Sequence, residues 1–328
     1  MAATASVRLQ RRTVGMRRAL GPIAEARGMA RTMLWTGVGV TLVFVLMAIF
    51  APIISPYGFD QYQSGGHRFA QLARPSHAHL FGTTVQSTDV LSRIVWGAQT
   101  ELEVVGLALA FGLVVGVPLG LIAGYFGGPF DRGTVLFMDA MFAFPPLLLA
   151  IVIAFLLGSS VNSGVLVAAI AITITYIPQY FRVVRNHVIS VREEPYVEAA
   201  RALGAKPFTI LRRYVFFNVV QNVPVIATLN AADAVLTLTA LGFLGYGVQP
   251  TQGAEWGYDV SRAVSDAASG IWWTGLFPGI AIVLLVTGLT LLGEGLNETI
   301  NPVLRRRSIR KVDFGAPSLE PETEILDP

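Results

Sequence analysis

The 328-residue chain is 53% hydrophobic and only 14% charged, with a mean hydropathy of +0.58. Soluble domains carry about 25% charged residues, and even a domain of about 300 residues leaves roughly a quarter of its unfolded surface in water, so the composition excludes a water-soluble globule. The absence of cysteine removes disulfides, thiolate metal sites and cysteine nucleophiles together, and a net charge of +3 without a basic folded domain predicts no nucleic-acid partner.

Residues 1–32 form a polar leader with seven arginines, and the charge-free run Met33 to Ile54 follows as a first span. The leader is too long and too basic for a cleaved signal peptide, so this span is expected to stay as an anchor. Residues 55–99 then make a long loop with His67, His77 and His79. The His77-x-His79 spacing finds no third ligand nearby, and surface or docking histidines are expected rather than a metal site.

A second charge-free run extends from Val104 to Phe130 and carries Gly112, Gly116, Gly120 and Gly124 at four-residue spacing. Such a stripe lets another helix approach closely; the alternative is a backbone-lined pathway. Ala140 to Phe181 runs 42 residues without a charge, which at about 1.5 Å per residue is about twice the thickness of the hydrocarbon layer. It must hold two spans, divided at Gly158–Gly164, a cluster of turn formers. Tyr214 to Ala254, interrupted only by Asp233, supplies a fifth span ending near Gly242–Gly247. Ala267 to Gly293 is the sixth.

Of 24 lysines and arginines, 20 fall on one side of the membrane if both termini are cytoplasmic, which leaves only Arg68, Arg74, Arg93 and Arg262 outside. The positive-inside rule therefore predicts N-in/C-in, with loop 55–99 external and loop 187–213 cytoplasmic. A carboxylate at membrane depth is costly and marks a functional face. Asp139 lies too near Arg132 to sit deep, so Asp233, with Asn230 one turn earlier, is the candidate for a transport pathway.

The cytoplasmic loop carries Glu193-Glu194-Pro195 ahead of Tyr196–Leu203, and Gly204-Ala205-Lys206-Pro207 after it. Acidic residues with proline open a helix, and glycine followed by lysine and proline closes it. A short helix over Pro195–Leu203 follows, slim because of Ala199, Ala200 and Ala202. Ser190 with Glu193 offers an alternative, earlier start.

Glu198-Ala199-Ala200-x-x-x-Gly204 resembles the EAA signature of permease subunits in bacterial ABC importers. Tyr196–Ala205, Asp89–Arg93, Gly120–Gly128, Ala143–Pro145, Gly245–Pro250, Glu255–Gly257, Phe277–Gly279 and Leu292–Leu296 are similar to the C-type permeases of the dipeptide/oligopeptide/nickel group. The resemblance covers roughly residues 33–304. It implies an all-α, six-helix, multi-pass permease of the bacterial inner membrane with type I importer architecture. It further implies that Glu198, Ala199, Ala200, Arg201, Leu203 and Gly204 dock on an ATPase. The implied partners are a second permease subunit, two ATPase subunits, an extracytoplasmic substrate-binding protein and membrane lipid.

No cofactor is expected in this chain; the resemblance places ATP and Mg²⁺ in the partners, and no Gly-x-x-x-x-Gly-Lys-Ser/Thr occurs here. The implied cargo is a dipeptide or short oligopeptide, with a nickel complex or another small solute as alternatives. A secondary transporter would show a duplicated half or several intramembrane charges. An intramembrane hydrolase would need a base beside Ser159–Ser163, whereas His187 falls on the opposite side. The sequence departs from the group at Phe216-Phe217, where Leu-Pro is usual and a stiffer hinge into the fifth span is expected. It departs also at Thr84 and at Ser87-Thr88. Residues 305–328 are expected to form a cytoplasmic tail, which beyond Arg307 exceeds the common end.

Overall fold

The computed structural model describes residues 28–300 except residue 159. The basic leader up to residue 27 and the tail 305–328 lie outside the described residues. The long helices are α1, Met29–Ile49; α2, Val90–Phe126; α3, Gly128–Phe142; α4, Pro146–Gly158; and α5, Gly164–Arg192. After the short α6, Pro195–Ala202, come α7, Val223–Phe243; α8, Trp256–Ala268; and α9, Trp273–Ile300. Two-residue strands β1, Gln63–Ser64, and β2, His67–Arg68, pair antiparallel between α1 and α2. Among the described residues, five helices are long and apolar enough to span a bilayer, and α3 with α4 makes a sixth, broken span when the bent pair is taken as one.

Several boundaries differ from those expected. α2 begins at Val90, so the loop predicted over residues 55–99 shrinks to residues 55–89. Arg93 and Glu101 had marked a loop because they are charged; both are buried within the helix. The Asp89 side chain caps it, accepting from the Ser92 amide at 2.8 Å. The third span is bent by 93° between α3 and α4, because Pro145 and Pro146 disfavour helix in the residues before them. The fourth span runs past Phe181 to Arg192, and the sixth starts at Trp273 rather than Ala267 because Gly270, at φ +77°, separates it from α8.

The fifth span is regular only from Val223. Residues 207–222 approach it as a helical ramp with a π turn at Leu211–Val215 and a 3₁₀ turn at Val220–Asn222. Without the usual proline, Phe216 and Phe217 stay helical, their rings edge-to-face at 5.5 Å. Ser190 caps nothing; its hydroxyl donates to the Asn186 carbonyl inside α5.

The glycine stripe is a packing surface. A Cβ on Gly116 would come within 2.7 Å of the Tyr180 Cβ, one on Gly120 within 2.7 Å of the Phe181 carbonyl, and one on Gly124 within 2.8 Å of the Arg185 carbonyl. The backbones of α2 and α5 therefore touch along three turns, the most extensive helix pairing in the fold. Gly37 and Gly295 let α1 and α9 approach in the same way. The main core gathers Phe44, Ala98, Ile172, Leu238, Trp256 and Leu285 between these pairs.

Gly120→Val should overpack α2 against α5 at a cost of about 1–3 kcal/mol, whereas Gly106→Val, on the same helix but facing open space, should not. The check is the yield of monodisperse chain extracted in mild detergent: low for the first and unchanged for the second.

Candidate coupling surface and pathway face

Pro195 opens α6, with Glu194 at the N-cap, Glu198 in the first turn and Arg201 in the last, so the charges complement the helix dipole. At the other end Gly204 takes φ +80°. Its amide donates to the Arg201 carbonyl at 3.0 Å and that of Ala205 to the Ala200 carbonyl at 3.1 Å. This left-handed closure satisfies the last carbonyls and fixes where the chain leaves.

Three-residue spacing turns Val197 and Ala200 toward the body, where they join Val184, Val188, Ile210, Leu211 and Val215. Val197 is fully buried, whereas Leu203 is 89% exposed. Glu198, Ala199, Arg201, Leu203 and Gly204 are exposed and Ala200 is not. Of the residues singled out for docking, Ala200 therefore anchors the helix, because one face of so short a helix must hold it in place. The Asn218 amide donates to the Tyr196 hydroxyl at 3.0 Å and to the Tyr214 carbonyl at 2.6 Å, tying α6 to the ramp. The Tyr196 hydroxyl is pushed up from its usual range, first by desolvation and then by Glu194.

The same end of the molecule is cross-braced. Arg185 on α5 holds Asp131 on α3 through two nitrogens, and Arg182 reaches Asp139 at 2.8 Å while stacking 4.5 Å from the Phe142 ring centre. Arg192 donates to the Gly124 carbonyl at 2.9 Å. Asp139 thus belongs to the basic end, as its nearness to Arg132 had suggested.

Asp233 faces outward from α7 and accepts from the Tyr176 hydroxyl at 2.5 Å; Thr237 lies 3.4 Å from that hydroxyl. Asn230 is only 3% exposed and turns inward. Three residues fall about 60° short of a full turn, enough to place Asp233 on the open face and Asn230 behind it, so the expected pair is split. Beyond them, a cleft of about 520 Å³ is lined by Phe155, Tyr246, Gln249 and Gln252.

At the opposite end, His79 is buried, its Nδ1 2.9 Å from Asp89 Oδ1, between the rings of Tyr57 and Phe69. It is a structural residue and not a surface histidine. Among the described residues, no three metal-ligating side chains converge. The buried groups missed in sequence are Glu101, Glu255 and the Arg93–Asp259 ion pair at 2.7 Å. Burial pushes the Asp259 carboxyl up, and Arg93 pulls it back down. The Glu255-Trp256-Gly257 string after a turn was the available signal, since a carboxylate before a helix is a cap.

Residues 116–306 match the family of binding-protein-dependent transport system inner membrane components, and residues 29–75 match the N-terminal transmembrane domain of oligopeptide transport permease C. The chain belongs to this permease family. A dipeptide transport system permease protein of Alkalihalophilus pseudofirmus is 39% identical over 80% of this chain and 83% of its own length. A glutathione transport system permease protein of Pectobacterium atrosepticum is 33% identical over 80% and 85%. The inward-facing methionine ABC transporter MetNI shares the fold, with a TM-score of 0.52, 20% identity, and coverage of 64% of this chain and 96% of that one. The permease is an ABC importer subunit of the bacterial inner membrane, and its family implies ATPase and substrate-binding partners.

Val197→Asp should place an unpaired charge in the cluster beneath α6, at a cost of several kcal/mol, and release the helix. Trypsin should then cut inverted membranes at Arg192 and Arg201 much faster than in the unaltered permease, while Leu203→Asp should leave the rate unchanged. Equal rates for all three would mean that Val197 does not hold α6.

Proposed function

We propose that this permease is one of two membrane subunits of an importer for dipeptides or short oligopeptides, driven by two cytoplasmic ATPases that grip α6. The observation that carries this reading is α6 itself: a capped knob, anchored by Val197 and Ala200 and presenting Glu198, Ala199, Arg201 and Leu203 outward. Nucleotide chemistry belongs to the partners, which would hold ATP and Mg²⁺; the permease supplies the contact that turns their movement into helix movement. Both termini and loop 187–213 are cytoplasmic in this reading, in keeping with the distribution of lysine and arginine.

The peptide cargo is supported by the relatives, named for dipeptide and for glutathione, itself a small peptide. Asp233 fits the same cargo. An acidic group on the open face of α7, beside the Tyr176 and Thr237 hydroxyls, suits the ammonium end of a peptide passing between this subunit and a second one. An external binding protein would deliver it.

Gly204 has open space around its Cα but a φ of +80°, so Gly204→Val should strain the closure by roughly 1–2 kcal/mol and tilt the knob. Glu198→Lys should reverse the charge offered to the ATPase. Both variants should insert and pair with the second permease yet lose substrate-stimulated ATP hydrolysis and dipeptide uptake in proteoliposomes of the assembled complex. Normal uptake and stimulation by both would end the coupling role of α6.

A further inference from the structure

Gly245, at φ +85°, ends α7: its amide donates to the Gly242 carbonyl at 3.0 Å and that of Tyr246 to the Leu241 carbonyl at 2.8 Å. This left-handed closure turns the chain toward the adjoining ends of α4 and α5. Gln252 pins it there. Its Oε1 accepts from the Gly164 amide at 2.6 Å and its Nε2 donates to the Asn162 carbonyl at 3.3 Å, so one side chain satisfies the first turn of α5 and holds the loop beside it.

The walls tied in this way enclose the cleft of about 520 Å³ between Phe155, Val161, Val167, Tyr246, Gln249 and Gln252. That volume falls within the range of small-molecule sites, about 300–1,000 Å³. Among the described residues no acidic or basic side chain lines it. The Phe155 and Tyr246 rings meet edge to face at 6.5 Å, yet Phe155 keeps 67% of its surface open and Tyr246 39%. Gln249 donates from Nε2 to the Gly245 and Gly247 carbonyls at 3.2 and 3.4 Å, which leaves its Oε1 as an acceptor for a peptide N–H. Open rings beside an amide oxygen suit an uncharged side chain with its backbone and offer nothing to an ionised one.

The cleft also continues the open face of α7. Asp233, Leu236, Phe243 and Leu244 are exposed, with Thr237 and Ala240 half-buried between them, so steps of three or four residues draw one uncovered stripe from Asp233 to the Tyr246 turn. The helix from Asp233 to Phe243 is about 15 Å long, whereas a dipeptide extends only about 7 Å. It would occupy the two places in succession.

We propose that this cleft receives the apolar or aromatic side chain of an arriving peptide and selects cargo inside the permease before Asp233 meets the ammonium group. The inference rests on the importer reading above, which places this end outside, and adds a second selection to that of the delivering protein. A larger apolar side chain covers more of the Phe155 and Tyr246 rings and is held longer.

The test uses the assembled complex in proteoliposomes, with its binding protein loaded with either diphenylalanine or diglycine. Gly158 lines the cleft with open space around its Cα, so Gly158→Leu places a side chain in the unfilled volume. The ratio of diphenylalanine to diglycine uptake should fall about tenfold in this variant, and about as far in Phe155→Ala, which removes one ring and keeps a good helix former. Gly106→Leu, in open space on α2, should leave the ratio unchanged. Every variant meets the same binding protein, so a changed ratio arises in the permease. A second arm does not depend on transport: a dipeptide carrying benzoylphenylalanine, irradiated with the purified permease–ATPase complex, should attach to this chain within residues 154–167 or 245–252. Excess diphenylalanine should suppress the attachment and diglycine should not. An unaltered complex that takes up neither peptide would end the importer reading and leave the attachment to decide the cleft. Attachment elsewhere, or an uptake ratio in Gly158→Leu and Phe155→Ala equal to that of the unaltered complex, would overturn the proposal.

Discussion

The backbone contact between α2 and α5 is the constraint on which the other features depend. Four glycines at four-residue spacing remove every side chain from one stripe of α2, and α5 settles into it with its own backbone. Lipid gives helices no hydrophobic reason to associate, so close approach and dispersion must supply the attraction. The stripe fixes the register of two long helices, and through it the two ends of the molecule. One end of α5 passes into α6, the other end of α2 receives α8, and Tyr176 midway along α5 reaches Asp233.

Charge is handled differently at the two ends. On the basic side, arginines of α5 hold acidic residues of α3 at the surface, where such pairs are screened and contribute little individually but set the position of the half-helix beyond the 93° bend. At the other end, several ionisable groups are buried or nearly so. Arg93 with Asp259 and His79 with Asp89 each join α2 or its cap to the external segments. Removing one member of a buried pair exposes the cost of the other, so these contacts specify one arrangement of the external cap.

Much of this was legible in the sequence. Charge-free runs located the five unbroken spans and the second half of the broken one, and capping chemistry placed α6 within a residue of its observed ends, because proline, an acidic first turn and a glycine at positive φ act locally. Helix ends outside the apolar runs were misjudged for a related reason. Arg93 and Glu101 interrupt hydrophobicity without interrupting the helix, since each is buried against residues more than 150 positions away, in α8 or at its cap. The exposure of Asp233 against the burial of Asn230 depends on how α7 is rotated against its neighbours, which three-residue spacing alone does not fix. The resemblance singled out the residues proposed for docking as a group, but only the packing of Val197 and Ala200 separates those that anchor α6 from those that face outward.

The most direct measurement of coupling exploits the absence of cysteine. Leu203→Cys places a single thiol on the most exposed corner of α6, in an otherwise unmodified importer. A short thiol-to-amine cross-linker added to inverted membranes should join position 203 to an ATPase subunit, with a yield that changes between nucleotide-free and ATP-bound complexes. A thiol at 203 that reacts only from the opposite side of the membrane, or an assembled complex in which it never reaches an ATPase, would contradict coupling through this helix.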